Sequence, residues 1–268
     1  MVSYYDMSEK FAYVTLLSTD NYLLGVLALN KSLKSVRSLY PLVVVCSDCI
    51  SDRTMQILSK YEIVTIKLNV HVKVDTERYN IALGYEHWNH TLDKLFVFNM
   101  TQYDKLVFLD SDMMVIRNID HLFYYPHMSA VIADVFNEPD LKEMNSGLMV
   151  IRPSRSDFYG MLDLWNSGKI ELSNVGDQDV IRAWFKDWKD DSALCLPNGY
   201  NVFYTDCYKL VKKQQVEPVY VIHYIGARKP WQVSLLAIYK RGKSNFLRKY
   251  FWKYCCWIMF LKGQLFFL

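Results

Sequence analysis

Four short stretches, Phe11–Leu17, Leu42–Cys46, 63–68 and Lys105–Leu109, are apolar at most positions rather than at every second one. A strand with one wet face alternates, so runs of this kind need cover on both faces. The segments between them carry a different period. Tyr22, Val26, Leu29 and Leu33 recur at spacings of four, three and four behind Asp20, which is placed to cap a helix. Ser51 is placed to cap a second helix over 51–58, and Thr91 opens a third with Leu92, Leu95 and Phe96 inward. Strands alternating with amphipathic helices predict an α/β fold: a Rossmann-like, mostly parallel, doubly wound sheet flanked by helices.

After Asp110 the pattern becomes mixed. Residues 130–133, 147–151 and 219–223 read as strands, and 154–166 and Asp177–Trp184 as helices. No repeat, low-complexity tract or Pro/Gly-rich linker divides the chain, so 1–235 is expected to form one domain with an elaborated C-terminal half. Residues 236–268 form a tail of different character. Up to Glu217 there are 22 basic against 28 acidic residues; beyond it come nine basic residues and no acid. The acidic body argues against nucleic acid as a partner. Within 246–268 lie nine aromatic residues, with Arg248, Lys249 and Lys253 on one helical face. That pattern predicts peripheral contact with an anionic membrane surface or a partner groove. The stretch has no apolar run long enough to cross a bilayer. Asp6 and Glu9 precede the first apolar run, and six cysteines are too sparse for a disulfide scaffold, which makes a reducing, cytoplasmic compartment the expectation.

A parallel sheet places ligands at the carboxyl ends of its strands. There, directly after Leu106-Val107-Phe108-Leu109, stand Asp110, Ser111 and Asp112. In an extended segment residues i and i+2 project to the same side, so both carboxylates can approach one hard cation such as Mg²⁺ or Mn²⁺. Three further clusters follow: Asn145-Ser146-Gly147 entering a strand, Gly176-Asp177-Gln178-Asp179 opening a helix, and His223-Tyr224-Ile225-Gly226 running into Lys229-Pro230-Trp231. Taken singly these read as a turn, an N-cap and a strand end.

Taken in order, with Tyr13-Val14-Thr15-Leu16, Tyr22 and the run from Tyr103 to Asp112 followed by Asn118-Ile119-Asp120-His121-Leu122-Phe123, they resemble the glycogenin-like glycosyltransferases of family 8. The resemblance spans about 11–231. It implies a GT-A fold and retaining transfer of a hexose, glucose or galactose, from a UDP-sugar. Carried over by position, it makes Asp110, Asp112 and His223 metal ligands for Mn²⁺ or Mg²⁺. It puts uridine near Leu16, Ser18, Thr19 and Tyr22, the diphosphate near Gly226 and Lys229, and Ser111 among the residues binding the nucleotide sugar. Lys94 becomes the lysine supporting leaving-group charge, Arg78 a donor-sugar contact, and Asp134, Asn145, Asp177 and Gln178 the groups around the transferred sugar. Implied partners are UDP-glucose or UDP-galactose, a carbohydrate, polyol or protein hydroxyl acceptor, and a second copy in a homodimer. Tyr208 falls where glycogenins carry a self-glucosylated tyrosine.

Two alternatives compete with this reading. Cys46-Ser47-Asp48-Cys49, between a strand and a helix, has the C-x-x-C spacing of a redox dithiol. A non-catalytic, membrane-associated interaction protein on a transferase scaffold is the other.

Overall fold

The computed structural model describes residues 9–72, 90–133, 142–170, 176–204, 218–226 and 229–232. Arg78, Asp134, Tyr208 and the tail 246–268 lie outside the described residues.

The strands are β1 Phe11–Leu17, β2 Leu42–Cys46, β3 Val64–Lys67, β4 Lys105–Leu109, β5 Met113–Val115, β6 Ala130–Ile132, β7 Met144–Ile151, β8 Cys195–Leu196, β9 Val202–Phe203 and β10 Val221–His223. The α-helices are α1 Leu23–Ser35, α2 Asp52–Lys60, α3 Arg155–Ser167 and α4 Asp177–Trp184. Seven strands form one sheet in the order β3-β2-β1-β4-β7-β6-β8, and β5-β10-β9 form a small second sheet. The first four strands of the large sheet run parallel, as the alternation with helices predicts. β7 joins antiparallel to both β4 and β6.

The unbroken apolar runs have the cover they need. Tyr13, Leu17, Val44, Val107 and Leu109 pack on one face with α1, α2 and the small sheet. Ala12, Val14, Val43, Val45, Leu106 and Phe108 pack on the other with α3, α4 and residues 92–98. Period two along each strand therefore serves two apolar layers at once.

Several local expectations are corrected. Asp20 does not cap α1; it begins a single 3₁₀ turn, Asp20–Tyr22, and its carboxylate accepts from the Ser51 N–H at 3.2 Å. Tyr22 thus precedes the helix instead of lying on its buried stripe. Thr91–Asn99 is 3₁₀ rather than α. Leu92, Leu95 and Phe98 are buried at a spacing of three that matches the 3₁₀ period, and Asp93, Lys94 and Val97 are buried beside them; Phe96 is only partly covered, against Phe158. Ser51 does cap α2, accepting from the Thr54 N–H at 3.3 Å. Among the described residues no helix is long and apolar enough to cross a membrane.

Asp120 joins three segments. Its carboxylate accepts from the Tyr13 hydroxyl at 2.7 Å, the Ser38 hydroxyl at 2.8 Å, the Leu39 N–H at 3.0 Å and the Asn118 amide at 3.0 Å. Burial opposes its ionisation, but these donors outweigh burial and hold the carboxyl below its ordinary value. Asp120→Ala leaves the fully buried Tyr13 without its acceptor and is expected to lower unfolding stability by about 2–3 kcal/mol in urea titrations. A depressed carboxyl pKa contributes stability above roughly pH 4 that is lost as pH falls through the folded value. The gap between wild type and variant should therefore narrow on acidification; a gap constant from about pH 7 to pH 3 contradicts the assignment.

Candidate active site

β4 ends at Leu109 beside Leu148 of β7, and the Asp110 N–H donates to the Gly147 carbonyl at 2.9 Å. The chain then turns. The Met113 N–H donates back to the Asp110 carbonyl at 3.1 Å, so the two aspartates sit on a tight turn and not on the extended segment expected. β5 leaves that turn and pairs antiparallel with β10, with His223 opposite Met113. The Tyr224 N–H donates to the Asp112 carbonyl at 3.0 Å and fixes the register at its end. His223 Nε2 lies 3.1 Å from Asp112 Oδ1 and 3.7 Å from Asp110 Oδ2. One ligand atom from each of the three residues falls within 4.8 Å of the others.

A chain of amides sets the histidine. The Gly147 N–H can only donate, so the Asn145 atom facing it at 2.8 Å is the oxygen. Asn201 must then turn its Nδ2 to that oxygen, at 2.7 Å, which leaves Asn201 Oδ1 facing His223 Nδ1 at 3.0 Å. These orientations are assigned from the hydrogen-bond network. Nδ1 consequently carries the hydrogen, and in the neutral ring Nε2 turns a lone pair toward two carboxylates. That contact is attractive only with a proton or a cation between the groups. Two carboxylates and an imidazole suit a divalent ion such as Mn²⁺, and the residues present fit one. Gly147 has no room for a side chain here: a Cβ would come within 2.9 Å of His223 Cε1.

Two lysines serve the carboxylates. Lys229 Nζ lies 2.6 Å from Asp112 Oδ2. Burial opposes ionisation of Asp112, yet His223 and Lys229 outweigh it and hold the carboxyl well below the usual range. Lys94, on the 3₁₀ segment, lies 2.6 Å from Asp177 Oδ2 and 3.1 Å from Asp110 Oδ1. Burial alone would lower the Lys94 pKa, but Asp110 and Asp177 raise it above the ordinary lysine value. Asp110 moves up instead, its desolvation exceeding the help of Lys94 and His223. Asp177 and Gln178 open α4 behind Gly176, and both reach Ser146: its hydroxyl donates to Asp177 at 2.8 Å and its N–H to Gln178 Oε1 at 2.9 Å.

At the other side Tyr22 meets Trp231 edge to face, centroids 5.6 Å apart, with Lys229 Nζ 5.8 Å from the Tyr22 ring centre. Gly226 has φ of 108°, a conformation side chains resist, and among the described residues nothing lies within 4 Å of where a Cβ would project. Ser111 is buried within the turn, while Leu16 belongs to the apolar layer under the sheet. Ser18 uses its carbonyl to accept from the Cys49 thiol, and Thr19 caps the 3₁₀ turn without a side-chain bond. Cys46 is buried, and burial pushes its thiol up to about 12, the opposite of a redox nucleophile. Ser146 and Asn201 join this cluster through hydrogen bonds, and the sequence reading did not single them out. Ser146 lies inside the Asn-Ser-Gly block, whereas Asn201 is marked only by the β9–β10 pairing.

Comparison with known proteins places this arrangement. The chain is 32% identical to human glycogenin-1 over 237 residues, covering 87% of this chain and 66% of that protein. It is 30% identical to UDP-glucuronate:xylan alpha-glucuronosyltransferase 2 of Arabidopsis thaliana over 233 residues, covering 83% of this chain and 36% of the relative. The chain thus spans about a third of the plant relative's length and about two thirds of glycogenin's. The crystal structure of the galactosyltransferase LgtC with donor and acceptor sugar analogs superposes with a TM-score of 0.65 at 18% identity, covering 90% of this chain and 94% of LgtC. That likeness is one of fold, the GT-A arrangement. The sequence profile described as glycosyl transferase family 8 matches residues 13–234. Since that stretch takes in the whole cluster from Tyr22 to Trp231, the chain belongs, as a glycogenin-like member, to glycosyl transferase family 8.

Proposed function

We propose that the chain is a divalent-metal-dependent hexosyltransferase that moves glucose or galactose from its UDP-sugar to a hydroxyl of a carbohydrate, polyol or protein, with retention of configuration. Residues 1–235 form the catalytic unit in this reading, and 236–268 a separate basic, aromatic tail. The observation that carries it is the convergence of Asp110, Asp112 and the Nε2 lone pair of His223, ligand atoms within 4.8 Å, inside a stretch matching the family.

Breaking the bond between sugar and diphosphate develops negative charge on the leaving phosphate and positive charge at the anomeric carbon. A divalent ion held by Asp110, Asp112 and His223 supplies Lewis-acid charge for the first. Lys229 adds a second cation on the same side, beside Tyr22, whose ring and Trp231 offer an aromatic surface to uracil. Ser18, Thr19, Ser111 and Gly226 border the nucleotide, Gly226 leaving open space for a phosphate. Asp177 and Gln178 at the start of α4, with Asn145, face the sugar, and their oxygens suit the developing positive charge. Lys94 ties the metal-side carboxylate Asp110 to the sugar-side carboxylate Asp177, so it positions both. Arg78 and Asp134 are assigned to the sugar by the family resemblance alone.

A panel of UDP-sugars with Mn²⁺, reading UDP release, tests the proposal: turnover is expected with UDP-glucose or UDP-galactose. Nucleotide binding without release from any donor would instead support the interaction-protein alternative. Asp112→Asn should cut Mn²⁺-dependent turnover by at least about 100-fold with the fold retained; near wild-type kcat would sink the ligand assignment. Asn201→Leu removes the acceptor that orients His223. It should raise the Mn²⁺ concentration for half-maximal rate roughly 10- to 100-fold while saturating metal restores most of kcat. An unchanged metal requirement would contradict the amide-chain argument.

A further inference from the structure

A second group of metal-ligating side chains lies away from Asp110, Asp112 and His223. Asp48 follows β2, His71 follows β3, and His90 stands immediately before the 3₁₀ segment that carries Lys94. One ligand atom from each falls within 4.8 Å of the other two. His71 Nδ1 is 2.9 Å from Asp48 Oδ2, and His90 Nδ1 is 3.7 Å from Asp48 Oδ1. Asp93, fully buried, brings its Oδ2 to 3.2 Å from the same His90 nitrogen.

With both rings neutral, their protons do not cover every carboxylate oxygen of the cluster, although the Cys49 backbone also serves Asp48. A neutral imidazole presents at most one proton at Nδ1, so two rings offer two protons to three carboxylate oxygens. Asp93 is served from elsewhere: the Ser47 hydroxyl donates to it at 2.6 Å and the Val72 N–H at 3.1 Å. Asp48 Oδ1 is the oxygen left over, a buried atom with no hydrogen-bond partner among the described residues. Two carboxylates also share one imidazole nitrogen, an arrangement that a dication relieves.

We propose that Asp48, His71 and His90 form a second cation site, for a borderline divalent metal of the Zn²⁺ type, with Asp93 supporting it from the buried side. Two imidazoles and one carboxylate favour such an ion over Mg²⁺ or Ca²⁺, which need more oxygen ligands. The ion joins the ends of β2 and β3 to the segment on which Lys94 follows Asp93. Its role is a staple that fixes the lysine's approach to Asp110 and Asp177, separate from the donor-binding metal.

The test uses the full chain carrying Asp112→Asn and His223→Ala, which removes two of the three ligands of the first site. After chelator treatment, Zn²⁺ uptake is measured by equilibrium dialysis, with Co²⁺ absorption reporting nitrogen ligation. One equivalent of Zn²⁺ and a visible Co²⁺ band are expected, with millimolar Mg²⁺ unable to compete. Adding His71→Asn or His90→Asn should weaken uptake about tenfold or more and abolish the Zn²⁺-dependent rise in Tm. If His90→Asn fails to fold by circular dichroism, His71→Asn decides, because that side chain is a third exposed. Absence of stoichiometric uptake, or uptake and Tm response unchanged by His71→Asn, overturns the site.

Discussion

The pairing of β5 with β10 holds this site together. Three residue pairs, Val115 with Val221, Met114 with Ile222 and Met113 with His223, join segments more than a hundred residues apart. All six side chains are buried, so the apolar core enforces the register. A slip of one residue would turn His223 to the opposite face and separate it from Asp112. β7 sets the second coordinate. Its antiparallel register with β4 seats Asn145, Ser146 and Gly147 beside Asp110, and from there the amide chain through Asn201 reaches His223.

Charge explains why so many polar groups tolerate so little water. Asp110, Asp112 and Asp177 share a small space with Lys94 and Lys229. Isolated buried carboxylates would be costly, and buried pairs add little net stability. Their value is readiness. Lys229 holds Asp112 at 2.6 Å and lies near the Tyr22 ring, the side on which the proposed reaction develops negative charge. Lys94 is more deeply committed, with two carboxylates and Ser146 around one ammonium, which fits it to positioning.

Much of this was legible in sequence because it rests on local pattern. The runs Phe11–Leu17, Leu42–Cys46 and Lys105–Leu109 are strands with those bounds, since they are too short for helices and their alternation with amphipathic segments suits strands covered on both faces. Asp177–Trp184 and the Ser51 cap follow from equally local rules. The resemblance grouped Asp110, Asp112 and His223, and the structure brings those side chains together. What local pattern could not show depends on distant partners. β5, β8 and β9 have two or three residues each and exist because a partner strand pairs with them. Asn201 matters through its place beside β10, and no spacing rule links it to Asn145. The spacing of Asp110 and Asp112 predicts an extended segment, and the structure has a turn, because the chain's need to enter a second sheet is invisible in four residues.

The account's central claim is that His223 binds the donor-site metal through Nε2, next to Asp110 and Asp112. Pulsed electron paramagnetic resonance of stoichiometric Mn²⁺ with UDP and the full chain measures this directly, because a coordinated imidazole nitrogen modulates the electron spin echo. The account predicts nitrogen modulation from one histidine, abolished by His223→Ala and preserved in His71→Asn. Modulation that survives His223→Ala, or none in the wild-type complex, would contradict it.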